Sequence, residues 1–279
     1  MTYIMSTPNP NPTWRVLCTD TPQSGAWNMA IDEAILLQVA AGASLPTLRL
    51  YAWEPACLSL GIAQASDLVD WQALAAAGYD CVRRASGGRG ILHTDELTYA
   101  ICASEHEPCM AGGILPSYRR LSAGLLQALQ FLDVYAQNDH TVIKTSVAAA
   151  PPVCFEVPSN WEITFSGKKL VGSAQVRKQG AVLQHGSLPL EGDITRICQV
   201  LLLTDRAAQA QRVAARACTL ADALGQTLPW QSVAQAVQAG FAQTLQCDFQ
   251  SGELTADELA LAEQLYHQKY NQLSYTRQK

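Results

Sequence analysis

Residues 82–100, VRRASGGRGILHTDELTYA, set a turn rich in glycine and arginine between an apolar run and an alternating one. Gly87, Gly88 and Gly90 are open to positive φ and leave main-chain N–H groups bare, while Arg83, Arg84 and Arg89 supply charge. Such a loop brings backbone against an anionic or carbonyl-bearing group, and it needs rigid strands at both ends. Residues 79–84 read as the strand that delivers it. Residues 96–103 read as the strand that leaves it, with Leu97, Tyr99 and Ile101 alternating on one face. A solvated hairpin would account for a lone Gly-Gly. The deciding feature is a second cluster of the same character, VCFEVPSNWEITFSGKKLVGSAQVRKQGAVLQHGSLPL at residues 153–190.

Together the clusters resemble the lipoate–protein ligase and octanoyltransferase family, within the biotin/lipoate protein ligase superfamily. The resemblance rests on the arginine loop from Arg83 to His93, the Lys-x-x-Gly-Ser-Ala segment from Lys169 to Ala174, and His185-Gly186. Motifs that recur in the right order are far more specific than any one alone. The resemblance implies the fold of biotin protein ligases, and substrate-binding roles for Arg84, Ser86, Gly87, Gly88, Arg89, His93, Gly172, Ser173, Ala174, His185 and Gly186. Gly61-Ile62-Ala63-Gln64 resembles a family segment in which a strand end faces substrate. Gly90-Ile91 stands where alanine and valine are frequent in the family, and Thr94 where aspartate is; both departures are mild.

Cys154 discriminates within the family. It follows a proline-rich loop and precedes Phe155-Glu156-Val157-Pro158-Ser159, a context that looks like the cysteine-dependent octanoyltransferase branch. Ionising its thiol needs a cation within roughly 4 to 6 Å, which lowers the pKa by about one to three. The resemblance points to Lys169, three residues before Gly172. On a strand Lys168 and Lys169 point to opposite faces, one inward and one to solvent. For His185 the sequence leaves open a core histidine and a part in shaping the acyl site, and His93 is expected to brace the loop.

Composition narrows the alternatives. With 48% hydrophobic and 15% charged residues among 279, the chain can bury a core, and its net charge of −5 speaks against a nucleic-acid protein. Nine cysteines, scattered and without Cys-x-x-Cys, suit neither a disulfide framework nor a zinc site and fit a reducing cytoplasm. No apolar run approaches the roughly 18 residues of a membrane span.

The repeated Asn-Pro of residues 1–12 reads as a disordered leader, and residues 13–279 as one catalytic domain with 194–279 as closing helices. Expected elements include a strand at 14–19, a helix from Ser24 to about Ala41, a hairpin of 47–53 and 57–61 broken at Glu54-Pro55, and helices at 67–77, 116–132 and 230–245. Strands at 161–165, 168–171, 173–177 and 181–190 follow turn signals at Ser166-Gly167 and Gln179-Gly180. Thr255 and Glu258 form the capping box of a terminal helix. The order favours an α+β fold, a mixed, mostly antiparallel sheet flanked by helices.

The resemblance implies an acyltransferase without cofactor. It moves octanoyl from octanoyl-acyl carrier protein to a lysine of a lipoyl-domain protein, such as glycine-cleavage H protein, through a Cys154 thioester. An ATP-dependent lipoate–protein ligase, a lipoyl/octanoyl amidotransferase and a non-enzymatic acyl-binding module are the alternatives.

Overall fold

A computed structural model describes residues 11–139 and 162–278. In chain order these form β1 (Thr13–Cys18), α1 (Gly25–Ala40), β2 (Thr47–Tyr51), β3 (Cys57–Leu60), α2 (Trp71–Ala76), β4 (Asp80–Arg83), β5 (Ile91–His93), β6 (Glu96–Ser104), α3 (Ile114–Phe131) and β7 (Gln137–Asp139). After residue 161 come β8 (Glu162–Phe165), β9 (Lys168–Lys178), β10 (Ala181–Pro189), α4 (Arg206–Arg216), α5 (Leu220–Leu224), α6 (Trp230–Leu245), β11 (Asp248–Ser251), α7 (Ala256–Leu265) and α8 (Leu273–Thr276).

Eight strands form one sheet in the order β11-β1-β2-β6-β10-β9-β8-β7, and β4-β3-β5 form a second. β1 runs parallel to both of its neighbours, and the remaining pairs of the large sheet are antiparallel. The architecture is thus α+β and mostly antiparallel, as expected. Alternation divides the large sheet between two cores. Tyr99, Ile101 and Val182 pack with Leu121 and Leu125 of α3 and Phe241 of α6. Ala100, Cys102 and Leu183 pack with Ile31 and Ile35 of α1 and Ala262 of α7. α1 is covered by the sheet on one side and α7 on the other, so its acidic residues Asp32 and Glu33 are themselves buried.

The expected hairpin of 47–53 and 57–61 does not form. β2 spends one edge on β1 and the other on β6, which leaves β3 to pair with β4 and β5 in the small sheet. The arginine loop therefore leaves the small sheet at β4, returns to it at β5, and only then reaches β6 in the large one. The helix expected at 67–77 begins at Trp71, because Asp70 caps it by accepting from Ala73 N–H. Residues 168–178 make one strand, β9, with no break at Gly172. Both turn signals act as read: Ser166-Gly167 and Gln179-Gly180 adopt positive φ at both positions, the type of turn that twists a hairpin correctly. β7 and β11 were not foreseen. β11 lies against β1, with Pro12 accepting from Asp248 N–H, so the last residues of the expected leader lie at the sheet edge.

The α3–α6 crossing needs small residues. A Cβ on Gly240 would stand 2.4 Å from the Gly124 carbonyl oxygen and 2.6 Å from Ala128 N, atoms of a helix backbone that cannot step aside. Gly240→Ala is expected to cost roughly 1–3 kcal/mol of overpacking strain, read as a lower denaturant midpoint at unchanged slope. An unchanged midpoint would show that the helices can part without cost.

Candidate active site

The glycine loop is held in shape by the two arginines at its root. Arg84 donates from Nη2 to the Gly87 and Arg89 carbonyls, 2.8 Å each, and from Nη1 to the Ser59 carbonyl at 3.0 Å. Arg83 likewise reaches main-chain carbonyls, Gly61 at 2.7 Å and Gln64 at 2.6 Å among them. Both guanidinium groups are buried. Of the loop's three arginines, Arg89 alone has a side chain without a hydrogen-bond or ion-pair partner among the described residues, and it is half-buried beside the exposed Gly87 and Gly88. Of the three loop glycines only Gly88 takes positive φ, +94°.

Ser86 fastens this loop to the large sheet. Its hydroxyl lies 2.5 Å from His185 Nε2 on β10, and His185 Nδ1 makes a longer contact, 3.4 Å, with Asp32 Oδ2 on α1. Asp32 also accepts from Arg49 Nη1 at 2.7 Å and from the Tyr51 hydroxyl at 2.8 Å. Burial alone would raise the Asp32 carboxyl, but the Arg49 charge and the His185 contact outweigh it and hold the group below its usual range. For His185 burial wins over the pull of Asp32, and the ring's pKa is lowered. The ring is therefore neutral at pH 7, with its proton on Nδ1 toward the carboxylate and its Nε2 lone pair accepting from Ser86. The order Ser86–His185–Asp32 is that of a serine–histidine–acid relay, wholly enclosed.

His93 also commits both nitrogens. Nε2 lies 2.7 Å from the Ser59 hydroxyl and Nδ1 2.7 Å from Glu96 Oε1, while the ring stacks on Trp53 at 3.9 Å. Glu96 further accepts from Ser187 at 2.6 Å and from Thr98. The ring thus braces β3 and β5 against β6.

On β9, Lys168 is exposed and Lys169 buried, the division that alternation predicts. Lys169 Nζ lies 2.5 Å from Glu162 Oε1 on β8, and both side chains are under 5% exposed. Register with β8 ends at Val171, so from Gly172 onward β9 pairs with β10 on one edge and with no described strand on the other. Alternate N–H groups of Gly172, Ser173 and Ala174 accordingly face away from β10. Ser173 stands opposite Gly186 and accepts at 2.8 Å from Tyr99, a phenol that burial pushes up to about 12 and keeps as a donor. A Cβ on Gly186 would come within 2.6 Å of the Gly172 carbonyl, Ser173 Oγ and the Tyr99 ring, so the strands and ring close on one another only at glycine.

The structure thus gathers Arg84, Ser86, His93 and His185 around the loop, and Lys169 to Ala174 on the neighbouring strand; Cys154 lies outside the described residues. Sequence reasoning missed Asp32, Arg49, Glu96 and Glu162. Their signal was a charged residue inside an apolar helix or strand pattern, since burial of such a residue demands a partner.

Because the folded chain binds the His185 proton less readily than the unfolded one, this group's contribution to stability is complete above about pH 6.5 and is lost as pH falls toward the lowered value. Ring NMR is expected to give His185 a midpoint below about 6.5, lower again in Asp32→Asn, which removes the one partner that raises it. A midpoint above that value, or one that rises in Asp32→Asn, would refute the assignment.

Comparison with known proteins fits this arrangement. The family model described as the lipoyl protein ligase A/B catalytic domain matches residues 24–242. Octanoyltransferase LipM of Kyrpidia tusciae is 42% identical over 260 residues, covering 91% of this chain and 94% of its own. That of Clostridioides difficile is 35% identical over 272 residues, covering 95% and 99%. Among solved structures, the bi-partite lipoate protein ligase of Thermoplasma acidophilum superposes with a TM-score of 0.79 at 23% identity, over 95% of this chain and 96% of that one. A lipoate-protein ligase A bound with ATP gives the same score and identity over 95% and 98%, and both likenesses concern the fold. With the matched residues running from the cap of α1 into the last turn of α6, the chain belongs to the lipoyl protein ligase A/B catalytic-domain family.

Proposed function

We propose that this chain is a protein octanoyltransferase of lipoate biosynthesis, acting in the cytoplasm, with octanoyl-acyl carrier protein as donor and a lysine of a lipoyl-domain protein, such as glycine-cleavage H protein, as acceptor. The observation that carries the reading is its likeness, over nine-tenths of its length, to curated octanoyltransferases. A second support is the state of the other thiols. Burial raises the pKa of Cys57 and Cys102 far above the usual value, Cys81 and Cys247 to about 12, and Cys109 and Cys218 to about 11; Cys18 is raised as well. None of these seven suits a thiolate, which supports the reading of Cys154 as the nucleophile.

The Cys154 thiolate attacks the thioester carbonyl; the donor's carbon–sulfur bond breaks and the carrier leaves as its thiolate, with the octanoyl group bound to Cys154. Outward N–H groups of Gly172 to Ala174, and those of Gly87 and Gly88, hold the developing oxyanion. The acceptor amine then attacks the enzyme thioester and releases the Cys154 thiolate, and the proton it gives up passes through solvent to the departed carrier thiolate. Lys169 sets the thiol's ionisation from β9, while Arg84, Ser86, His93, His185 and Gly186 shape the substrate site and Arg89 presents charge at its mouth. Each octanoyl methylene buried contributes about 0.8 kcal/mol, so chain length is selected by the number of methylenes the site can cover.

Incubation with octanoyl-carrier thioester is expected to add one octanoyl mass to the intact protein, and Cys154→Ala to abolish both the adduct and the transfer. Turnover without an adduct, or pyrophosphate release from ATP and lipoate, would overturn the reading. Lys169 is best tested with its partner, because Lys169→Met alone strands a buried carboxylate at a cost of roughly 3–5 kcal/mol. The pair Lys169→Met with Glu162→Gln is expected to raise the alkylation pKa of Cys154 by about one to three.

A further inference from the structure

Arg83 is buried, 1% exposed, yet all its partners are main-chain carbonyls. Nη1 donates to Gly61, Ile62 and Gln64 at 2.7, 3.3 and 2.6 Å. Nε and Nη2 donate to Tyr275, Thr276 and Gln278 at 3.3, 2.9 and 2.8 Å. The fork therefore joins two segments about two hundred positions apart, and each satisfies donors that would otherwise be stranded in the interior.

The first segment is stitched to the glycine loop. Ile62 N–H donates to the Ser86 carbonyl at 2.9 Å, and Gly61 lies so close to the loop that a Cβ there would be 2.1 Å from the Gly88 carbonyl oxygen. The second segment is held besides by packing, with the Tyr275 ring 5.7 Å from that of Tyr270 and 5.1 Å from the Lys269 ammonium, and with Thr276 buried. Arg277 lies over the Trp71 ring at 4.3 Å and its carbonyl accepts from Ser66 at 3.0 Å, but the buried Tyr275 hydroxyl has no partner and Leu273 is exposed. The chain just before it is anchored by Lys269 and Tyr270 donating to Glu33 at 2.6 Å each.

We infer that the turn at residues 273–278 is a working part of the acyl site, with Arg83 as the positioning residue through which it fixes the 61–64 segment and so the glycine loop. A strand ladder cannot fix an irregular loop, and here a guanidinium fork takes its place, with the far turn as its second footing. Substitution or loss of that turn thus reaches the substrate loop without touching it. The inference rests on the preceding reading only in naming the loop as the acyl site; the brace itself is a matter of geometry.

Two changes test it, a chain ending at Gln272 and Arg83→Lys in the full chain. Lysine keeps the charge but cannot reach both segments. Amide exchange at Ile62, Gln64 and Arg84 is expected to quicken about tenfold or more in both, with β6 and β10 unchanged. The kcat/KM for octanoyl-carrier thioester is expected to fall about tenfold or more, since misplacement of the loop costs both substrate contacts and the oxyanion donors of Gly87 and Gly88. Unchanged exchange at those amides in either variant, or exchange that quickens evenly through β6 and β10, overturns the inference. An intact protein that never accepts octanoyl would count against the function alone, because the exchange pattern still decides the brace.

Discussion

The ion pair between Asp32 and Arg49, 2.7 Å long and closed to solvent, holds the rest of the site in place. It joins α1 to the middle of the large sheet, and neither charge is tolerable in that interior without the other. Arg49 also takes both oxygens of Asn28, its carbonyl at 3.1 Å and its side-chain amide oxygen at 2.6 Å, which fixes the helix along its axis as well as across it. The lone pairs that remain on Asp32 receive Tyr51 and His185, and through His185 the Ser86 end of the glycine loop. The glycine loop is thus referred back to a buried ion pair between helix and sheet.

Charge in this protein serves largely as a cross-link. Arg83 and Arg84 stand at the root of a loop that invites a ligand, yet both turn inward and hold carbonyl groups that no strand can satisfy. This follows from loop geometry. An irregular segment leaves its carbonyls pointing in several directions, and the planar five-donor guanidinium gathers them at one point. The consequence for recognition is that Arg89, whose guanidinium is unpaired among the described residues, is the loop's remaining source of charge.

Lys169 illustrates the same economy on the neighbouring strand. Glu162, 2.5 Å away, offsets the cost of burying the ammonium, so a positive charge is kept inside the fold at the strand where the outward N–H groups begin. β9 brings the two features within a few residues of each other because an extended strand advances only about 3.3 Å per residue.

Sequence by itself determined the local elements. Helical spacing gave α1, α3 and α6, the Thr255 capping box opened α7, and Ser166-Gly167 and Gln179-Gly180 marked tight turns, because these choices depend on neighbours along the chain. It also set Lys169 inward and Lys168 outward, since strand alternation has a period of two. Tertiary structure alone decided which strands would pair: 47–53 and 57–61 look like a hairpin, but β1 and β6 take both edges of β2. It alone gave Arg83, Arg84, Asp32 and Glu162 their partners, because a buried charge settles against whichever group the fold brings near, and that group is often remote in the chain.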